Sequence, residues 1–130
     1  MRILLDTNRL TDVFRADPRV LAAVNSADEI WIPFIALAEI KAGFLGGSPN
    51  RQMHNEILLR RFMQLPGVAV AYANRDTVET YSQLLHYLRK RGKPIPSNDL
   101  WIASIAVQDD MKLVTRDRHF HHLPQVALWQ

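Results

Sequence analysis

The sequence predicts an α/β fold: a three-layer domain in which a mostly parallel central sheet of four or five strands carries helices on both faces. Three observations lead there. Short apolar runs, RILL, IWI, VAVA and KLVT, recur along the chain, and stretches with helical spacing separate each from the next. Parallel strands can be joined only by long crossovers, which those helical stretches supply. No repeat, low-complexity tract or linker interrupts the 130 residues, a length that buries one substantial core and not two, so residues 1–130 read as a single domain.

Arg2 to Leu5 is nearly continuously apolar and stops at Asp6, Thr7 and Asn8, the pattern of a strand buried on both faces. Leu10, Val13 and Phe14 keep helical spacing; Asp17-Pro18 interrupts it, and Val20, Leu21 and Val24 resume it. Ile30 to Ile32 forms the second strand. PFIALAEIKAGFLGG reads as a helix with proline in its first turn and Gly46-Gly47 at its close. Ser48-Pro49-Asn50 reads as a short connection to a longer amphipathic helix through Ile57, Leu58, Phe62 and Leu65, which Pro66-Gly67 ends before a third strand, VAVAY. From Asp76 to Lys90, Val78, Tyr81, Leu84, Leu85 and Leu88 fall at helical positions until RGKPIPSN breaks the pattern. A further helix starts near Asn98 or Asp99, with Ser97 or Asn98 able to cap it, and runs through LWIASIAVQ. KLVT is the fourth strand, and VALW, after Pro124, is a candidate fifth.

Composition narrows the function classes. Lys and Arg outnumber Asp and Glu by 16 to 13, a mild excess that tolerates an anionic partner without demanding one. With no cysteine there are neither disulfides nor thiolate zinc ligands, and a cytoplasmic protein is the expectation. The longest apolar stretch, IWIPFIALA, falls well short of the about 18 residues of a membrane helix, so no membrane partner is expected.

Four acids stand in telling places. In an open α/β sheet, ligands sit beyond the carboxyl ends of the strands. Asp6 directly follows the first strand and Asp117 follows KLVT by two residues. Either alone is accounted for as a turn residue. Asp99 falls in the first turn of a helix, where the macrodipole favours an acid, yet it shares a face with Ile102, Ala103 and Ala106 that should pack on the sheet. Glu39 has Ile35, Ala42 and Gly43 as helical neighbours, a face small enough to approach another element closely, although an exposed helical Glu is the common case. Together the four suggest an acidic pocket, which repels itself unless protonated or loaded with a cation. Oxygen donors without cysteine favour a hard ion, Mg²⁺ or Mn²⁺, and such an ion suits phosphodiester hydrolysis.

In order, LLDTN, AEI, NDLWIASIA and LVTRDRHF resemble the four acidic motifs of the PIN-domain ribonucleases, in particular the VapC-like toxins of toxin-antitoxin pairs. The likeness spans almost the whole chain. It implies a PIN-like fold and a Mg²⁺-dependent endoribonuclease, with Mn²⁺ as a substitute, whose acidic site is Asp6, Glu39, Asp99 and Asp117. In that site Asp6 and Asp99 bind metal, Asp117 binds it directly or through water, and Glu39 positions or activates the attacking water. Asn8 and Thr115 would support the carboxylates by hydrogen bonds, though each also fits as a turn or strand-end residue. Arg9 departs from the pattern, which usually has an apolar residue after DTN. It reads as an exposed first-turn residue, with contact to phosphate or to an antitoxin carboxylate as the alternative.

The resemblance further implies an RNA substrate, a VapB-like antitoxin whose C-terminal segment covers the groove, and a homodimer. Candidate RNA contacts are Arg89, Arg91 and Lys93 in LRKRGKP, Arg116 and Arg118 beside Asp117, and His119; each basic residue is equally explained as a solvated surface charge. The spacing of His119, His121 and His122 matches no zinc motif. The helices around Phe34 to Leu45 and Gln52 to Phe62 hold more large apolar groups than one face buries; core packing is the default, and the resemblance implies that part of this surface binds the antitoxin. The competing reading is a catalytically silent module that keeps the fold and binds RNA or protein. A haloacid-dehalogenase-like phosphatase is disfavoured because Asn8 stands where its second aspartate belongs.

Overall fold

The computed structural model describes residues 1–130. Strands β1 (Arg2–Leu5), β2 (Glu29–Pro33), β3 (Val68–Ala71) and β4 (Lys112–Val114) form one sheet in the order β3-β2-β1-β4. Every pair is parallel, with Leu4 opposite both Trp31 and Leu113. Six helices make the connections: α1 (Thr7–Phe14), α2 (Pro18–Ser26), α3 (Phe34–Leu45), α4 (Pro49–Met63), α5 (Arg75–Arg91) and α6 (Ser97–Gln108).

The two-residue period of a strand divides β1 between two cores. Leu4 packs with Leu84 and Leu88 of α5, Ile102 and Ile105 of α6, and Leu113 of β4. Ile3 and Leu5 turn to the opposite face, among Leu10 of α1, Val20 of α2, Ile40 of α3, and Leu59 and Phe62 of α4. The central strand is thus covered on both sides, which is why its apolar run is unbroken. Gly67 makes the tight entry to β3: its φ is +82°, and an added Cβ would lie 2.9 Å from the Asp28 carbonyl oxygen.

Several local expectations change. VALW does not become a strand; Leu128 forms an isolated parallel bridge to Leu113, whose N–H and carbonyl bond Ala127 and Trp129. Because β4 is only three residues long, no longer ladder can form beside it. Ser48-Pro49-Asn50 is the start of α4 and not a connection, since Ser48 caps the Arg51 N–H and Pro49 takes the first helical position, where its missing N–H costs nothing. Neither Ser97 nor Asn98 caps α6, which begins at Ser97 directly behind Pro96. Arg118–His122 forms a short 3₁₀ turn that the periodicity did not signal.

The direction of α5 matters for the site. Thr77 in its first turn hydrogen-bonds Gln108 at the end of α6, and Gln108 also donates to Asn74. The two helices therefore run antiparallel. The last turn of α5 lies at the end of the pair where α6 begins, the end that carries Asp99.

Candidate active site at the carboxyl edge of the sheet

Asp6 ends the central strand and begins α1. Its backbone N–H extends the ladder to the Val114 carbonyl at 3.2 Å, and its Oδ1 caps α1 by accepting the Arg9 N–H at 2.9 Å. Oδ2 accepts the Thr115 hydroxyl, whose oxygen in turn accepts the Asp117 N–H at 3.0 Å. Thr115 thus ties the first carboxylate to the backbone of the fourth. Asn8 is exposed and its side chain makes no hydrogen bond, so the carboxylate of Asp6 is held by Thr115 and by the helix N-terminus.

The other acids arrive from three further segments. Asp99 lies in the first turn of α6, and Asp117 caps the 3₁₀ turn by accepting the His119 N–H at 2.9 Å. The His119 Nδ1 stands 3.1 Å from both Asp99 Oδ2 and Asp117 Oδ1, and ligand atoms of these three side chains lie within 4.8 Å of one another. Glu39, exposed on α3, accepts the Thr7 hydroxyl at 2.8 Å. Thr7 went unnoticed in the sequence because its partner is far along the chain.

Electrostatics unite the four. Asp6 is only 4% exposed, and burial pushes its carboxyl above the ordinary range, with the charges of Asp99 and Asp117 adding to the rise. Burial also raises Asp99, against the hydrogen bond from His119, and Asp117 and Glu39 push the same way. The hydrogen bond to Asp99 leads the causes that raise His119. No lysine or arginine forms an ion pair with any of the four acids. Clustered carboxylates that raise one another and have no lysine or arginine partner suit a hard divalent ion; the ligand atoms that converge are those of Asp99, Asp117 and His119, with Asp6 near enough to feel the charge of both acids.

One turn away the chemistry reverses. Asp12 of α1 is 6% exposed and receives two arginines: Arg9 Nη1 at 3.1 Å, and Arg116 through Nε at 3.2 Å and Nη2 at 3.4 Å. Arg9 is therefore not an exposed first-turn residue; its side chain is 11% exposed because it folds back onto Asp12. Arg116, proposed for RNA, is half-exposed and tied to Asp12, which pins the segment between Thr115 and Asp117 against α1. Asp12 was missed, although its spacing of three from Arg9 on one helix was a usable signal.

Arg89, Arg91, Lys93 and Arg118 are exposed, the first three at the Asp99 end of the α5–α6 pair, and the Arg91 guanidinium lies 3.7 Å over the Tyr87 ring. Ala42 and Gly43 do not approach another element; both are exposed, and a Cβ on Gly43 would meet nothing within 4 Å. Instead a groove of about 800 Å³ runs between α1, α3 and α4, reaching Thr7 and Glu39 at the site and Phe44 and Leu58 farther out. Leu45, Met53, Ile57 and Leu65 are also exposed. No helix is long and apolar enough to cross a membrane.

Comparison with known proteins gives a consistent picture. The model of the PIN domain family matches residues 3–126. The chain is 30% identical to ribonuclease VapC1 of Haemophilus influenzae strain R2866, covering 100% of this chain and 97% of that protein. It is 28% identical to toxin FitB of Neisseria gonorrhoeae, over 98% of this chain and 96% of the toxin. Among solved structures, VapBC-1 from nontypeable H. influenzae superposes with a TM-score of 0.86 at 26% identity, over 100% of this chain and 98% of that one.

Proposed function

The chain belongs to the PIN domain family, and from that premise we propose that it is a metal-dependent endoribonuclease toxin, a single catalytic domain over residues 1–130 that acts in the cytoplasm and is neutralised by a VapB-like antitoxin. The observation that carries the reading is the linkage of Asp6 through Thr115 to Asp117, beside Asp99, with no lysine or arginine paired to any of them. Asp6, Asp99 and Asp117 would hold Mg²⁺, for which Mn²⁺ can substitute. When bound there, the ion would lower the pKa of a water and offset charge at the leaving oxygen.

The protein's own groups do the rest. Thr115 fixes the Asp6 carboxylate, and the Asp12–Arg116 pair holds the loop that carries Asp117. Glu39, steadied by Thr7, orients the attacking water or takes its proton. Arg89, Arg91, Lys93, Arg118 and His119 present positive charge to RNA phosphates at the same end of the molecule. The groove beside Glu39 and the exposed Leu45 and Met53 support an antitoxin segment lying against α3 and α4; the solved VapBC-1 complex supports an antitoxin partner. A homodimer is the further expectation that family membership carries.

The test uses protein freed of antitoxin and a mixture of cellular RNAs. Cleavage should require Mg²⁺ or Mn²⁺, stop in chelator, and vanish in Asp6→Asn and Asp99→Asn. Equal cleavage in chelator, or by both variants, would remove the metal mechanism. RNA binding without cleavage under any divalent ion would select the silent module.

A further inference from the structure

Thr115 also lines a second cavity, of about 520 Å³, to which none of the four acids contributes. Its wall includes Arg9 of α1, Arg19 and Ala22 of α2, Val114 and Thr115 at the end of β4, and Trp129. The volume lies within the about 300–1,000 Å³ usual for small-ligand sites. No acidic side chain is in the lining. The Arg19 guanidinium makes no ion pair, and the Nε of Arg9 is buried without a hydrogen-bond partner although the end of that side chain is committed to Asp12.

We propose that this cavity is a nucleotide subsite, taking the base and phosphate of an RNA residue that neighbours the scissile phosphate. The inference rests on the ribonuclease reading and adds where the strand continues. Single-stranded RNA is recognised by aromatic or guanidinium planes under unstacked bases and by arginine at phosphate. Trp129, half-buried against the core, offers with exposed Ala22 the apolar surface, the unpaired Arg19 offers the charge, and Arg9, whose Nη1 is paired with Asp12, offers its Nε–H as a donor. Thr115 belongs to both sites, so a nucleotide here adjoins whatever phosphate stands at Asp6. An acidic peptide would also satisfy Arg19, but Thr115, shared with the site at Asp6, puts the cavity beside the proposed point of cleavage, where a continuing strand must run, which is why RNA is the better fit.

Two substitutions avoid the core. Ala22 is exposed on α2, so Ala22→Glu puts a negative charge into the cavity without removing any packing, and Arg19→Glu reverses the charge at another exposed position. A fluorescein-labelled hexaribonucleotide is titrated by anisotropy in chelator, and kcat/KM on the same RNA is measured with Mn²⁺. Both variants should raise Kd at least fivefold and lower kcat/KM by a similar factor. Arg19→Glu should also flatten the slope of log Kd against log salt by about 0.7 for each phosphate that the protein no longer neutralises. Binding and cleavage within twofold of wild type in both variants would overturn the subsite, as would an Ala22→Glu protein that binds RNA normally but loses its antitoxin. If wild-type protein binds the RNA but never cleaves it, the nuclease reading fails while the anisotropy still decides the subsite.

Discussion

Asp6 and Asp12 sit at the cap and in the second turn of the same helix and are almost equally buried, yet they are treated in opposite ways. Asp12 has two arginines on its carboxylate. Asp6 has hydrogen bonds from a hydroxyl and an amide, and its charged neighbours are acids. Burying a carboxylate is costly unless a cation compensates it. The protein compensates Asp12 with its own arginines and gives Asp6 none, so Asp6 must hold a proton or meet a cation from outside. A buried acid with a built-in partner is architecture; one whose partner must come from outside marks a site.

The contrast should break hardest at Asp12. Asp12→Ala strands Arg9 in a mostly buried place and frees Arg116, and removing one partner of a buried pair typically costs about 3 kcal/mol or more, to be read from urea unfolding. Asp6→Asn should change the stability of the metal-free protein by no more than about 1 kcal/mol, because asparagine caps a helix as well as aspartate does. Wild-type protein should gain about 2.7 kcal/mol when Mn²⁺ reaches a hundred times its Kd, and Asp6→Asn should lose most of that gain. Similar losses at both positions would erase the distinction.

pH sharpens it further. Asp6 and Asp99 have raised carboxyl pKa values in the folded, metal-free protein, so the folded state holds those protons more tightly than the unfolded chain. Their contribution is fully present below the ordinary carboxyl pKa and is lost as pH rises through the raised folded values. His119 is raised as well, so its bridge contributes below the ordinary imidazole pKa and is lost as pH climbs through the folded one. Melting in chelator across pH 4 to 8 should therefore show wild type losing stability relative to Asp6→Asn as pH increases through the acidic range. The smallest effect belongs to Thr7→Val, which removes one exposed hydrogen bond to Glu39. It should cost under about 1 kcal/mol in stability and show mainly as a reduced kcat.

The same comparison explains what could be read in advance. Strands and helices announced themselves through local period. Asp6 and Asp117 drew notice by following strands and Asp99 by its place in a first helical turn, whereas Glu39 stood out for a small helical face that proves exposed. The Asp12 pair did not, since Arg116 is brought to it only by the docking of β4 on β1. The Arg9 half of that cluster was legible, since Arg9 and Asp12 lie three apart on one helix. The dual contact of His119 with Asp99 and Asp117 needed the 3₁₀ turn, which five residues of RHFHH do not signal by periodicity. VALW has a strand's composition but only a three-residue neighbour to pair with, and composition carries no information about a neighbour's length.

The strand order β3-β2-β1-β4 has a consequence for how the protein is made. The central strand leaves the ribosome well before its partner β4, which is the fourth strand in the chain, and domains assemble during synthesis from the N-terminus onward. Asp6 therefore waits, with β2 and β3 on one side and nothing on the other, until residues 112–117 have emerged. A nascent chain can be largely folded and still lack Thr115 and Asp117. The order of synthesis thus separates the making of Asp6 from the completion of the proposed site around it.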